Sequence, residues 1–308
     1  MLVNQNLRLH RFFKFTWKVD ILMLLTCLAA FLFDKYVILT YTPVPTTLPA
    51  LIGTAIAFFI GFNNNQAYGR WWEARIIWGA IVNDSRSWAR NLLAYCSIPV
   101  GSDITPEELR FRQRRMIMRH IGFLYALKEA LRKTKDTTWA FYLSEEEAKA
   151  LKEFTNIPNA ILDLQSHDLE QLQKDGLIEG FRFLALNDLI RAFCDGMGKS
   201  ERINNTVFPT PYLYFTRVCI WIFIILVTMA FAESSGLWSV FFGWVVGFIF
   251  NVTHLNGMHI MNPFSIDDLP TGVPISSITR AIEINLLEAL QDEQVPDPMV
   301  PVRGEYIF

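Results

Sequence analysis

The chain has 308 residues, of which 52% are hydrophobic, 14% aromatic and only 19% charged, and its mean hydropathy is +0.24. That balance excludes an ordinary soluble domain and indicates a membrane protein with a sizeable aqueous part. A formal net charge of −2 excludes the basic field that nucleic acid requires, and the cysteines (Cys27, Cys96, Cys194, Cys219) show no CxxC or metal-type spacing, so they read as free thiols.

In chain order, Arg8, Arg11, Lys14 and Lys18 precede a first apolar run at 21–33. No small-residue cleavage site follows it, so the run is expected to be a retained membrane segment rather than a signal peptide. Three more runs lie at 48–62, 218–232 and 237–250. Each is shorter than the roughly 20 helical residues that cross a hydrocarbon core. Flanks such as Trp17 and Tyr36 extend them, and segments lining a wet vestibule need not be apolar throughout. Basic residues flank the first run and follow the second (Arg70, Arg75, Arg86, Arg90), while the connector 41–49 carries no Lys or Arg. The positive-inside rule then puts both termini and the middle region in the cytoplasm, with two hairpins crossing from there.

The middle region reads as helical. Thr105-Pro-Glu-Glu108 predicts a helix start with acids on its positive end, followed by a basic stretch, 110–119, that could touch anionic lipid or attract anions but reads first as a solvated face. Ser144-Glu-Glu-Glu147 is a capping-box pattern, and Pro158 begins a further helix. A last amphipathic helix is expected over 276–291, before an extended proline-rich stretch at 295–301. The expected organisation is 1–64 (first hairpin), 65–212 (cytosolic helical domain), 213–252 (second hairpin) and 253–308 (C-terminal helix and tail).

Within the second run, Gly53, Ala57 and Gly61 form a small-residue stripe that lets helices approach closely. Thr54, Phe58 and Phe62 form a neighbouring stripe about 100° around the helix. Around an axis these would stack as one hydroxyl ring and two phenyl rings; within one chain they would be an internal packing face. The amides Asn63, Asn64, Asn65 and Gln66 either replace hydration water below such a neck or solvate a helix at the membrane boundary. Arg70 either attracts anions or pairs with Glu73 at i+3. Trp71 and Trp72 suit a headgroup belt or an intersubunit face. No catalytic constellation is present: His254 and His259 are five apart, not four, and there is no P-loop, GxGxxG or GxSxG. No enzyme activity and no cofactor are expected.

The run Gly61-Phe-Asn-Asn-Asn-Gln-Ala-Tyr-Gly-Arg-Trp-Trp-Glu-Ala-Arg75 resembles the neck-to-cytosol sequence of bestrophins, especially prokaryotic ones. Glu201-Arg-Ile-Asn-Asn-Thr-Val-Phe-Pro-Thr-Pro211, Asn262-Pro-Phe-Ser-Ile-Asp-Asp-Leu-Pro270 and Arg280-Ala-Ile-Glu-Ile-Asn-Leu-Leu-Glu-Ala-Leu290 resemble later family segments in the same order. The resemblance implies an all-α, polytopic membrane protein of four transmembrane helices in two hairpins plus a helical cytosolic domain. It further implies a homopentamer around one central pore, in a bacterial inner membrane, passing small monovalent ions. The neck would be lined by Thr54, Phe58 and Phe62, and a cytosolic aperture would fall near Leu189 or Ile190. In calcium-gated animal members acids hold Ca²⁺ at the Asn262 element. Here Asn262, Asp267 and Asp268 remain, with Ser265 for the usual Gly and Pro270 where another acid would sit. Calcium takes six to eight oxygens, so no metal is expected.

Bare apolar rings resist ions by dewetting, but a phenyl ring has a positive edge and a negative face. Edges turned to the axis favour partly dehydrated anions such as chloride; faces favour cations. The expectation is an anion channel. A monovalent cation channel of the same architecture and a non-conducting membrane-anchored helical scaffold stand as alternatives.

Overall fold

The computed structural model describes residues 9–37, 44–206, 210–265 and 271–301, with side chains from Thr16 onward in the first segment and from Tyr212 in the third. Among the described residues there are nine α-helices, one 3-10 turn and no strand: α1 Leu9–Tyr36, α2 Thr47–Tyr95, α3 Pro106–Arg132, the turn Thr138–Tyr142, α4 Glu145–Leu151, α5 Ile157–Lys174, α6 Gly180–Asn205, α7 Thr210–Ser235, α8 Trp238–Ile260 and α9 Ile275–Ala289. Four helices are long and apolar enough to cross a membrane, at Thr16–Tyr36, within Thr47–Tyr95, at Tyr212–Ser235 and at Trp238–Ile260. The helices run well past the apolar runs, so the apparent shortfall in length disappears.

The chain forms two compact units, and α2 contributes to both. One holds α1, the first part of α2, α7 and α8. Its core gathers Met23 and Cys27 from α1, Ile56 and Ile60 from α2, Ile220, Phe223, Ile224 and Val227 from α7, and Val240 from α8. Without a hydrophobic drive inside a lipid phase, close backbone approach has to supply the packing energy. Two glycines of α8 provide it: a Cβ on Gly243 would strike the Thr228 hydroxyl, and one on Gly247 would come within 2.6 Å of Ile224. Trp244 Nε1 donates to the Asp20 carbonyl at 3.2 Å, tying α8 to α1.

The other unit contains the rest of α2, then α3 to α6 and α9. Its helix starts are as the sequence predicts. Thr105 caps α3 by accepting from Glu108 N, with Pro106 in the first turn, and Ser144 and Glu147 form a complete capping box on α4. Asn156 caps α5.

The basic stretch of α3 corrects the sequence reading in part: Arg110 and Arg114 are exposed as expected, whereas Arg112, Arg115 and Arg119 are not. Arg112 pairs with Asp175, Arg115 with Asp168 at 2.7 Å, and Arg119 with both Asp168 and Glu147. The Arg119 side chain is only 6% exposed. These residues recur three to four apart, so they share one face that lies along α5 rather than in open solvent.

At the centre, His120 is fully buried among Trp88, Phe123 and Phe193. Ser85 Oγ donates to the Ile81 carbonyl at 2.6 Å, so its lone pair accepts from His120 Nε2, 2.9 Å away. Nδ1 has no partner. Burial holds this imidazole far below its usual range, at about 3. Between pH 6.5, its ordinary value, and about 3 the unfolded chain binds a proton that the folded chain refuses. Stability should be complete above that window and fall as pH drops through it, by up to about 1.4 kcal/mol per pH unit from this one group. Thermal unfolding followed from pH 7 to 4 should show the loss. His120→Gln, which keeps a donor for Ser85, should make the slope shallower by one proton; an unchanged slope would refute the assignment.

Candidate functional site

The first half of α2 separates into two faces. At about 100° per residue, Ile56, Ile60, Asn63 and Ala67 fall within about 60° of one another and are all buried. Thr54, Phe58 and Phe62 fall within about 80°, centred about 170° away from them. All three are exposed, Phe58 at 70% and Phe62 at 48%. Phe58 also meets Phe59 edge-on, at a centroid distance of 5.9 Å. Thr54 Oγ1 donates to the Ala50 carbonyl at 2.9 Å, so its proton is engaged by its own helix. Within one chain the aromatic stripe is therefore not a packing face.

The small-residue stripe divides. Gly53 lies against the Phe223 ring, where a Cβ would come within 2.9 Å of Cε2, so it serves packing inside the chain. Ala57 and Gly61 are exposed, and nothing lies within 4 Å of where a Gly61 Cβ would be.

The amide run divides as well. Asn63 is buried and its Nδ2 reaches Thr216 Oγ1 of α7 at 3.4 Å. Asn64 Nδ2 donates to the Thr253 carbonyl of α8 at 3.1 Å, and its Oδ1 sits where a Cβ of Gly257 would be. These two amides join α2 to its neighbours. Asn65 and Gln66 are exposed, and Arg70 is half-buried. Glu73 accepts from Arg202 Nη2 at 2.5 Å.

On α6, Ile190 is buried whereas Leu189 is half-buried. Asn262 is exposed, and Asp267 and Asp268 lie outside the described residues. Among the described residues no three His, Cys, Asp or Glu side chains are grouped to hold a metal, and the cysteines are unpaired. Sequence reasoning missed the buried line that Ile56, Ile60 and Ala67 form with Asn63, a residue it had set below the neck. The signal was present as i, i+4, i+7, i+11 spacing, hidden because the intervening positions up to Phe62 are apolar too.

Comparisons with known proteins agree with this architecture. The family model described as Bacterial/Fungal Bestrophin protein matches residues 13–288. The chain is 26% identical over 255 residues to the voltage-dependent anion channel-forming protein YneE of Escherichia coli K12, covering 82% of this chain and 80% of that protein. It is 28% identical over 226 residues to a voltage-dependent anion channel-forming protein of Ralstonia nicotianae, covering 72% and 71%. A solved bacterial bestrophin homologue from Klebsiella pneumoniae superposes with a TM-score of 0.79 at 23% identity, over 89% of this chain and 98% of that one, which shows the shared fold. With four membrane-length helices and a family match over nearly its whole length, this membrane protein belongs to the bacterial and fungal bestrophin family.

Proposed function

We infer that the chain forms a bestrophin-type anion channel, a homopentamer whose neck is lined by Thr54, Phe58 and Phe62. The carrying observation is that this stripe is exposed on the face of α2 opposite its buried one. An aromatic stripe exposed on the single chain fits a ring closed by identical neighbours, and closed cyclic symmetry repeats such a stripe as stacked girdles. The relatives named as anion channel-forming support the same reading.

With the Thr54 proton engaged by its own backbone, discrimination falls to the phenyl edges of Phe58 and Phe62, which attract partly dehydrated anions. Ala57 and Gly61, open on the single chain, suit the close approach of adjacent α2 helices. Asn65, Gln66 and Arg70 follow the neck and would face the inner vestibule, whereas Asn63 and Asn64 serve the bundle. Of the two aperture candidates, Leu189 is favoured, because Ile190 is consumed by the core. The charge pattern supports an inner-membrane orientation with both termini and the 65–212 domain in the cytoplasm.

The test is the reversal potential of the purified channel in a planar bilayer under a KCl gradient. A value near the chloride equilibrium potential is expected. One near the potassium potential would make this a cation channel of the same architecture. Silence from a monomeric preparation would favour a non-conducting scaffold.

A further inference from the structure

The unit built from α3 to α6 contains a cavity of about 360 Å³ that the conduction reading does not use. It lies where α3 ends, α5 begins and α6 ends. Glu129, Ala130 and Leu131 come from the last turn of α3, Asn156 and Pro158 from the start of α5, and Glu201, Asn204 and Asn205 from the last turn of α6.

Glu129 is only 4% exposed. Its Oε1 accepts from the Thr138 backbone N–H at 3.1 Å, but its Oε2 is buried with no hydrogen-bond partner. Leaving a buried carboxylate oxygen unpaired is costly, and burial pushes the Glu129 carboxyl above its usual range. Two more carboxylates line the same space, Asp136 and Glu201, against one basic residue, Lys133. Two helices end here with their negative poles and one begins, so the helix dipoles also favour positive charge.

We propose that this cavity binds a small organic ammonium ion, its charged head among the carboxylates of Glu129, Asp136 and Glu201 and its carbon chain along Trp139 and Pro158. A bare metal ion fits less well. No metal-type grouping of side chains exists among the described residues. The space is in the range of small-molecule sites and part of its lining is apolar, including Ala126, Leu131 and Ile157. An ammonium group donates up to three hydrogen bonds and needs no fixed coordination shell.

The experiment is isothermal titration of the purified full-length protein with n-butylammonium chloride in an amine-free phosphate buffer, with calcium chloride and sodium butyrate titrated separately. Saturable binding of butylammonium is expected, with none of butyrate. Glu129→Gln should weaken it by about tenfold or more, the loss of one charge-assisted hydrogen bond. Thr155→Trp, at an exposed lining position, should block entry without touching the core and decides the matter if the Glu129 variant fails to fold. Absence of butylammonium binding up to about 10 mM, or binding unaffected by both variants, would overturn the proposal. Glu129-dependent binding of calcium alone would overturn the organic class of ligand.

Discussion

Replacing Phe58 by aspartate is expected to reverse the selectivity of the proposed anion channel, carrying the reversal potential under a KCl gradient from near the chloride value to near the potassium value. In the proposed homopentamer, five carboxylates at one level of the neck form the kind of acidic ring that concentrates cations, and a change of about tenfold or more in the permeability ratio is a modest expectation at close range in a low-dielectric wall. The substitution removes little packing, because Phe58 is largely exposed and lies opposite Ile56 and Ile60. Assembly and melting temperature should therefore be retained. If Phe58 instead faced lipid, aspartate near the middle of the helix would cost about 2.5 to 3.5 kcal/mol in insertion, and a poorly inserted protein with unaltered selectivity would result. Phe58→Ile is the milder companion. It deletes only the ring edge, so the potential should move part of the way. An unchanged reversal potential in both variants removes Phe58 from the pore wall.

Glu283→Ala should be the most destabilising single change in the unit that contains α9, by about 3 to 5 kcal/mol. Glu283 is 3% exposed. Its Oε2 accepts from Tyr125 Oη at 2.6 Å and pairs with Arg280 Nη1 at 2.9 Å, while its Oε1 accepts from Tyr142 Oη at 2.5 Å. The two tyrosine rings stack with centroids 5.2 Å apart, and Lys128 Nζ lies 4.4 Å from the centroid of the Tyr125 ring. Burial first, and the Glu283 carboxylate next, hold both phenols protonated well beyond their ordinary range, so both remain donors at any physiological pH. Alanine strands two phenol donors and a guanidinium around an empty space. Glutamine keeps one acceptor and should lose only about 1 to 2 kcal/mol. Limited proteolysis would reveal α9 as the segment released first. Equal melting temperatures for the alanine and wild-type proteins would contradict this account of how α9 is held.

Local chemistry made much of the fold legible in advance. Thr105, Ser144 and Pro158 mark helix starts because caps and first-turn prolines act within four residues. Four membrane segments were visible as apolar runs, but their true ends were not. The helices continue through polar residues such as Asn63 and Asn64, whose side-chain amide nitrogens donate to α7 and α8. The basic stretch of α3 looked like a solvated face since its partners, Glu147, Asp168 and Asp175, are 28 to 63 residues away. Leu189 and Ile190 are chemically similar neighbours, and only burial separates them. The cavity around Glu129 joins three segments between 126 and 205, and no periodicity in the sequence foretells that juxtaposition.

The two faces of α2 share no residue. Ile56, Ile60, Asn63 and Ala67 hold the helix in its bundle, and Thr54, Phe58 and Phe62 stand clear of it. Mutational drift can therefore act on one side without taxing the other. On the proposed pore-lining role of the outer positions, a lineage can walk through threonine, aromatic and aliphatic residues there by single steps, each intermediate still folding, and so diversify which ion passes while the scaffold stays fixed. For the engineer the same independence makes these three positions a natural cassette for combinatorial libraries, with variants screened by flux alone.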